Sequence, residues 1–282
     1  MEVLTVKNKI LLLIIIIIPL LSGCDKNSNL SIHIIDVGQG DSVLIKTPNK
    51  KNILVDAGDD KSEKVVKRYL KKEKIKYLDI VIATHPDSDH IGGLDFIINN
   101  FDVGEIYMPN QSVDTLSYKN LINSCNNKNL NIKYLYKGDK INIENNIDLL
   151  TLSPSHIQDD SNLNSIVFKL DYKNKSFLFT GDAEYENEVE MTNSFNLENI
   201  DFIKIGHHGS SSSTNTNFIN EVSPDIAAIS CGYKNKYGHP HRSTLENLSS
   251  LNVKIYRTDL LGDIVFYSDG DIIFTKKNYK YE

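Results

Sequence analysis

The chain has 282 residues, enough to bury a sizeable core in one large domain or two small ones. Its 40% hydrophobic and 24% charged content belongs to a folded globular protein and argues against disorder. A formal net charge of −6 excludes a protein that is basic overall and binds nucleic acid with its whole surface; any polyanion must be held locally, by metal and a few cations.

In chain order, Lys7 and Lys9 precede an apolar run from Ile10 to Leu21 that ends in Ser22-Gly23-Cys24. A charged start, a short apolar stretch and small residues at its end mark a secretory signal. The run is too short for an ordinary transmembrane helix. Leu21-Ser22-Gly23-Cys24 resembles the lipobox of bacterial lipoproteins. That resemblance implies a signal peptide over 1–23, lipidation of Cys24, a tether over 24–30, and an extracytoplasmic protein held on the cell membrane by lipid. An uncleaved N-terminal anchor is the alternative, and it places the rest of the chain on the same side. Cys125 and Cys231 remain; two isolated cysteines make no disulfide framework, and both read as structural thiols.

Residues 31–282 read as one domain. Ser31–Ile35 is a strand on which His33 is a satisfied or partly exposed side chain. Asp36-Val37-Gly38-Gln39-Gly40-Asp41-Ser42 is a turn, followed by strands at 43–46 and 52–58, an antiparallel beginning for a sheet. A helix is expected over about 61–74, with Val65, Val66 and Leu70 on one face. Tyr77–Ala83 is a buried strand, 94–101 a helix, 103–108 a strand and 117–125 a helix. Short strands follow at 132–136, 139–143 and 147–152, then a hairpin of 166–170 with 176–180. Strands at 226–230 and 253–257, a helix over 243–251 and a C-terminal hairpin around Gly262 and Gly270 complete the chain.

Three strand ends carry the chemistry. Thr84-His85-Pro86-Asp87-Ser88-Asp89-His90-Ile91-Gly92-Gly93 places two imidazoles and two carboxylates within six positions. Buried unpaired, such a group is expensive, and a divalent cation removes that expense. Gly92 and Gly93 are expected to let the backbone turn tightly beside it. Asp182 follows Phe179-Thr180-Gly181, and His207 and His208 follow Phe202-Ile203-Lys204-Ile205-Gly206. Glu184, Glu186, Glu188 and Glu190 read as a solvated helix face. Six of the eight His (His85, His90, His207, His208, His239, His241) fall in end-of-strand loops, which suggests one α/β sandwich with the site where two sheets meet.

The His-x-Asp-x-Asp-His loop with Thr180-Gly181-Asp182 and the later His resembles the metallo-β-lactamase fold. With 36–42, Gly206-His207-His208-Gly209-Ser210 and Tyr237-Gly238-His239-Pro240, it resembles more narrowly the extracellular hydrolase domain of the ComEC competence channel, from residue 31 onward. The resemblance implies a four-layer αββα sandwich and one or two divalent ions. It implies that His85 and Asp87 hold one ion, that Asp89 and His90 hold the other, and that Asp182 bridges. One of His207 and His208 completes the second site, assigned here as His207 the ligand and His208 catalytic. Asp87 stands where many members have His, and no His occupies the position near Asn164 and Ser165. An oxygen-rich first site suits Mn²⁺ or Mg²⁺ as well as Zn²⁺ and argues against β-lactam hydrolysis.

The expected activity is a phosphodiesterase acting on extracellular DNA, in which bound metal supplies hydroxide. Asp89 and His239 join His208 as catalytic candidates. Lys204, Asn164, Ser165 and Lys236 are taken as substrate-binding, with Lys234, His241 and Arg242 extending a cationic stretch. The rival readings are a hydrolase of small phosphoesters, such as cell-wall choline phosphate, or of lactones, and a metal-free surface binding lipoprotein.

Overall fold

A computed structural model describes residues 29–279; the signal-like segment, Cys24 and the last three residues lie outside the described residues. Six strands open the domain: β1 (Leu30–Ile34), β2 (Val43–Lys46), β3 (Asn52–Val55), β4 (Tyr77–Ile82), β5 (Asp102–Met108) and β6 (Ile132–Tyr134). A second sheet takes the next seven: β7 (Lys140–Glu144), β8 (Ile147–Ser153), β9 (Val167–Tyr172), β10 (Lys175–Phe179), β11 (Phe202–Lys204), β12 (Ile226–Ile229) and β13 (Lys254–Arg257). The last two, β14 (Ile264–Ser268) and β15 (Ile273–Phe274), return to the first sheet beside β1.

Each sheet begins antiparallel and continues parallel. β1, β2 and β3 form the expected meander, and β3 through β6 then run parallel. In the second sheet β7 to β10 are antiparallel and β10 to β13 parallel. Parallel neighbours need crossovers, which helices supply. α1 (Glu63–Lys72), α2 (Ser88–Ile91), α3 (Leu94–Asn100) and α4 (Leu116–Asn127) serve the first sheet; α5 (Tyr185–Ser194), α6 (Thr216–Val222) and α7 (Arg242–Ser250) serve the second. One helical turn, α8 (Thr258–Leu261), precedes β14.

Period-two side-chain alternation then builds three apolar layers. Ile32, Ile53, Ile82, Phe168, Phe179, Phe202 and Phe266 fill the seam between the sheets. Phe202 of β11 meets Phe266 of β14 edge to face at 5.0 Å, joining the two sheets directly. Leu44, Leu54 and Val81 point outward onto Val66, Leu70, Leu94, Ile97 and Leu121 of the helices. Ile203, Ala227 and Ile255 meet Met191, Phe218 and Leu248 on the other side. The result is the four-layer αββα sandwich. Among the described residues, no helix is long and apolar enough to cross a membrane. Cys125 and Cys231 are free and buried, as structural thiols should be.

His33 shows how strict the alternation is. With Ser31 it leaves the seam for the helix side, where Tyr69 Oη lies 2.8 Å from Nδ1 and Ser31 Oγ 3.0 Å from Nε2. Burial holds this imidazole down at about 4, against an ordinary 6.5. Below pH 6.5 the unfolded chain takes up a proton here that the folded chain refuses until about pH 4. Stability attributable to His33 is therefore lost on acidification, by about 2 kcal/mol between pH 7 and 5. Urea melts across that range should show a flatter pH dependence for His33→Gln by about that amount; parallel curves for the two proteins would refute the assignment.

Candidate metal centre

Loops from both sheets converge at one end of the seam. The turn after β1 carries Asp41 and is pressed against α2: Asp41 N donates to Asp89 O at 3.1 Å. Gly40 makes this approach feasible, at φ +137 with space for no side chain; a Cβ there would lie 2.3 Å from the Asp89 carbonyl oxygen. Asp56 follows β3, and Thr84 and His85 follow β4. α2 carries Asp89 and His90, with Asp87 at its start. Gly92 and Gly93 have ordinary helical φ values, so they do not supply a special turn. Their role is close packing, since a Cβ on Gly93 would sit 2.5 Å from Ala57 O.

From the second sheet come Asp182 after β10, Lys204 at the end of β11, and the tight turn at 206–209. Within that turn His207 and His208 adopt consecutive left-handed conformations, φ 47 and 54. Side chains rarely take this backbone, which costs on the order of 1 kcal/mol per residue. A turn held in that form twice in succession is over-determined by its surroundings.

The imidazoles are tied at Nδ1 and presented at Nε2. His90 Nδ1 donates to Asp56 Oδ2 at 2.8 Å, and His208 Nδ1 donates to Ser230 O at 3.0 Å. His85 Nδ1 lies 3.1 Å from Thr84 Oγ1. Asp56 also accepts from Thr84 N and Thr84 Oγ1, at 2.8 and 2.6 Å. Around the shared space, Asp182 lies 3.1 Å from His90 Nε2, 3.5 Å from His208 Nε2 and 4.0 Å from His85 Nε2. One ligand atom from each of Asp41, His90, Asp182 and His208 falls within 4.8 Å of all the others.

These atoms fit a divalent cation. Asp41 Oδ1, Asp182 Oδ1 and the Nε2 atoms of His85, His90 and His208 are buried without a hydrogen-bond partner. Polar atoms are seldom buried that way without an ion or water to meet them. Charge points the same way. Asp41, Asp56 and Asp182 are buried, and Lys204 is the only buried Lys or Arg among the described residues. The surplus negative charge acts on its neighbours. Burial lowers His90 and His208, yet the adjacent carboxylates outweigh it and raise both, His208 to about 9. Burial raises Asp41, but Lys204 and His208 bring it down to about 2.

Several expected roles change. Lys204 is buried, pairs with Asp41 and donates to Ile205 O at 2.9 Å, so it cannot reach a substrate. Asn164 is fully buried and spends its amide on Gln158 and Asp160 backbone. Ser165 is equally buried, and its Oγ accepts from Asp182 N at 3.1 Å, positioning that ligand. His208 rather than His207 joins the compact group. His207 is partly exposed, with Nδ1 2.9 Å from Glu184 Oε1 and Nε2 3.8 Å from Asp182. Asp87 and Asp89 stand at the mouth, the former 3.9 Å from His85 Nε2 and bonded to Ser161, the latter 3.3 Å from His208 Nε2. His239 caps the group, its ring 5.7 Å from His207 and 6.2 Å from His208. Lys236 is exposed beside Tyr237 on the same loop.

Sequence reading also missed Asp56, Glu188 and Asn235. Glu188 is buried rather than solvated, and its carboxylate accepts from the backbone N–H groups of Thr214 and Asn215. Asn235 accepts from Tyr237 N and His239 N and donates to Gly232 O and His239 O, pinning the loop that carries His239. For Asp56, replacement by Asn leaves no anion to receive the His90 proton and turns an N–H toward other donors. Asp56→Asn should weaken Zn²⁺ binding by about 10- to 100-fold in competition with a chromophoric chelator; unchanged affinity would remove Asp56 from the centre.

The comparisons agree with this geometry. The metallo-beta-lactamase superfamily profile matches residues 35–118 and 132–233. ComE operon protein 3 of Bacillus subtilis (strain 168) is 32% identical over 253 residues, covering 83% of this chain and 32% of that protein. Recombination protein 2 of Haemophilus influenzae is 31% identical over 236 residues, covering 82% and 28%. The chain thus spans about a third of the length of these relatives. Among solved structures, the metallo-beta-lactamase fold protein YhfI from Bacillus subtilis covers 86% of this chain and 100% of its own, with a TM-score of 0.57 at 14% identity, a likeness of fold alone. By the extent of the profile match and the fold that carries it, the chain belongs to the metallo-beta-lactamase superfamily.

Proposed function

We propose that this metal-dependent hydrolase is a phosphodiesterase acting on extracellular DNA, held outside the cytoplasm by lipid at Cys24. The observation that carries the reading is the set of buried, unpartnered ligand atoms opening onto a mouth lined by Asp87, Asp89 and His239, with lysines and tyrosines beside it. Similarity to ComE operon protein 3 and to the competence protein ComA of Neisseria gonorrhoeae supports nucleic acid as the substrate class.

A divalent ion held by His85, His90, His208, Asp41 and Asp182 would polarise a phosphoryl oxygen and lower the pKa of water. The chain's own residues do the rest. Asp89 has its side chain one-third exposed at the mouth, where, held ionised despite partial burial by His208 and His90, it can align a water. Burial and then the neighbouring imidazoles pull His239 down to about 4. It therefore meets a phosphate as a neutral imidazole that donates one N–H, not as a cation. Lys234 lies over Tyr233 at 5.3 Å and Lys236 over Tyr237 at 4.8 Å, and Tyr237 stacks on His239 at 5.6 Å. Cations interleaved with exposed rings suit a strand whose backbone is tracked and whose bases stack.

A small phosphoester is the second reading, favoured by the net charge of −6. The two separate on incubation of the Mn²⁺- or Zn²⁺-loaded protein with single- and double-stranded DNA and with a panel of small phosphoesters. The DNA reading expects cleavage that a chelator abolishes and that Asp87→Ala loses. A metal-loaded protein that cleaves small phosphoesters and leaves DNA intact would overturn it.

A further inference from the structure

We infer that the end of the first sheet opposite the metal centre is a docking face for an anionic membrane surface. This rests on the reading that lipid at Cys24 holds the chain to a membrane, and it does not depend on which phosphoester is cleaved. Strand direction defines the two ends. β3 and β4 run parallel toward the centre and deliver Asp56 and the 84–93 loop. Six residues of β4 separate its two ends by about 20 Å. At the far end lie Asn29 before β1, the β2–β3 hairpin, the passage from α1 into β4, and the β14–β15 turn, since Leu30 pairs with Ser268 and Lys46 with Asn52.

This end is cationic in an acidic protein. Residues 71–76, where α1 ends and the chain passes into β4, hold four Lys against one Glu, a local charge of +3 where the whole chain carries −6. Val66, Tyr69 and Leu70 of α1 face the core, and Lys71 and Lys72 of its last turn are exposed. Past the helix, Lys74 joins Lys46, Lys50, Lys276, Tyr267 and Asn29 around a cavity of about 570 Å³. Glu73 is the one carboxylate lining it, and Lys46 pairs with it at 3.0 Å. Lys50, Lys74 and Lys276 make no ion pair among the described residues, and the carboxylates of the adjoining turns are engaged elsewhere, Glu144 by Thr47 Oγ1 and Asn49 N and Asp269 by the backbone N–H groups of Asp271 and Ile272.

Two further features select a bilayer over a nucleic acid. Tyr77 and Ile272 are 46% and 56% exposed at this same end. Apolar tips beside lysines enter the headgroup boundary of a membrane, and an aliphatic tip such as Ile272 offers a nucleic acid no ring on which to stack a base. The second is reach. Asn29 stands at this face, and the sequence places Cys24 five residues before it and the apolar run Ile10–Leu21 eight before it. Five residues span at most about 18 Å. A chain held at Cys24 therefore brings this face, and not the metal centre, against the lipid. Each lysine near an anionic surface is worth about a fivefold gain in partitioning. The patch would fix the domain upright with its catalytic mouth turned to the outside.

The test uses the full chain reconstituted through its own N-terminal segment into vesicles of phosphatidylcholine alone or of phosphatidylcholine with phosphatidylglycerol. Lysine acylation is read by mass spectrometry. Lys50, Lys74 and Lys276 should react about fivefold or more slowly on the anionic vesicles, recovering in about 1 M salt, where the Debye length is about 3 Å. Lys234 and Lys236 should not change. Combining Lys50→Glu, Lys74→Glu and Lys276→Glu, all exposed positions, should leave the melting temperature unchanged and make the residual lysines of α1 indifferent to phosphatidylglycerol. Recovery of either protein on phosphatidylcholine vesicles reports the anchor separately. Equal labelling on the two kinds of vesicle would overturn the docking face, and so would protection of the same lysines by duplex DNA but not by phosphatidylglycerol.

Discussion

Three buried carboxylates facing one buried ammonium is the constraint on which the rest of this structure turns. Asp41, Asp56 and Asp182 cannot be taken out of water together unless something returns the lost solvation. Hydrogen bonds return part of it. Asp56 is satisfied by Thr84 and His90, and Asp41 pairs with Lys204, whereas the Asp182 carboxylate has only the unpartnered nitrogens of three imidazoles nearby and Ser165 fixes its backbone. What remains unsatisfied lies in one small volume, and that residue of charge is what a divalent ion neutralises. Loop conformations that look extravagant in isolation follow from it. The left-handed pair at 207 and 208 and the glycine at 40 are the backbone adjustments that aim these groups at one point.

The double-layered architecture makes such aim feasible. Each sheet has a parallel stretch, so several strands finish at the same edge and their following loops become neighbours. Neither sheet holds a complete ligand set. His85 and His90 belong to the first, Asp182 and His208 to the second, and cross-links such as Ile166 N to Thr84 O at 2.8 Å and Ser230 Oγ to Gly40 O at 2.8 Å fix the distance between them. The substrate side uses looser parts. The Tyr233–Arg242 loop is exposed and is organised mainly by one amide, Asn235.

Much of this was legible in the residues, and what was not has physical causes. The 85–90 loop declares itself because four ligand types in six positions have no cheap apolar explanation. The strands along the chain and an α/β sandwich follow from short apolar runs broken by glycines, while the order of the strands within each sheet, with β14 and β15 returning beside β1, does not. Asp56 was silent because a single carboxylate after a strand looks like any turn residue; its meaning comes from Thr84 and His90, 28 and 34 positions away. Lys204 misled because charge suggests exposure, and only the packing of β11 between β10 and β12 shows it enclosed. Glu188 hid in a run of alternating glutamates, although its place three residues before buried Met191 puts it on the inward face of α5. Ser165 meets the backbone N of Asp182 and Asn164 braces its own loop at Gln158 and Asp160, roles hidden from the sequence because it gives position along the chain and not which way a side chain points.

The bonds that close the centre join partners very far apart along the chain: 41 with 204, 40 with 230, and 84 with 166. Long-range pairings form late, after the entropy of closing large loops has been met. A nascent or translocating chain presents its N-terminal half first. The 85–90 loop thus becomes available well before Asp182, Lys204 or His208, and until about residue 230 has arrived it has no enclosure to complete. Chemistry is deferred by topology: the protein acquires its reactive centre only when almost the whole chain is in place.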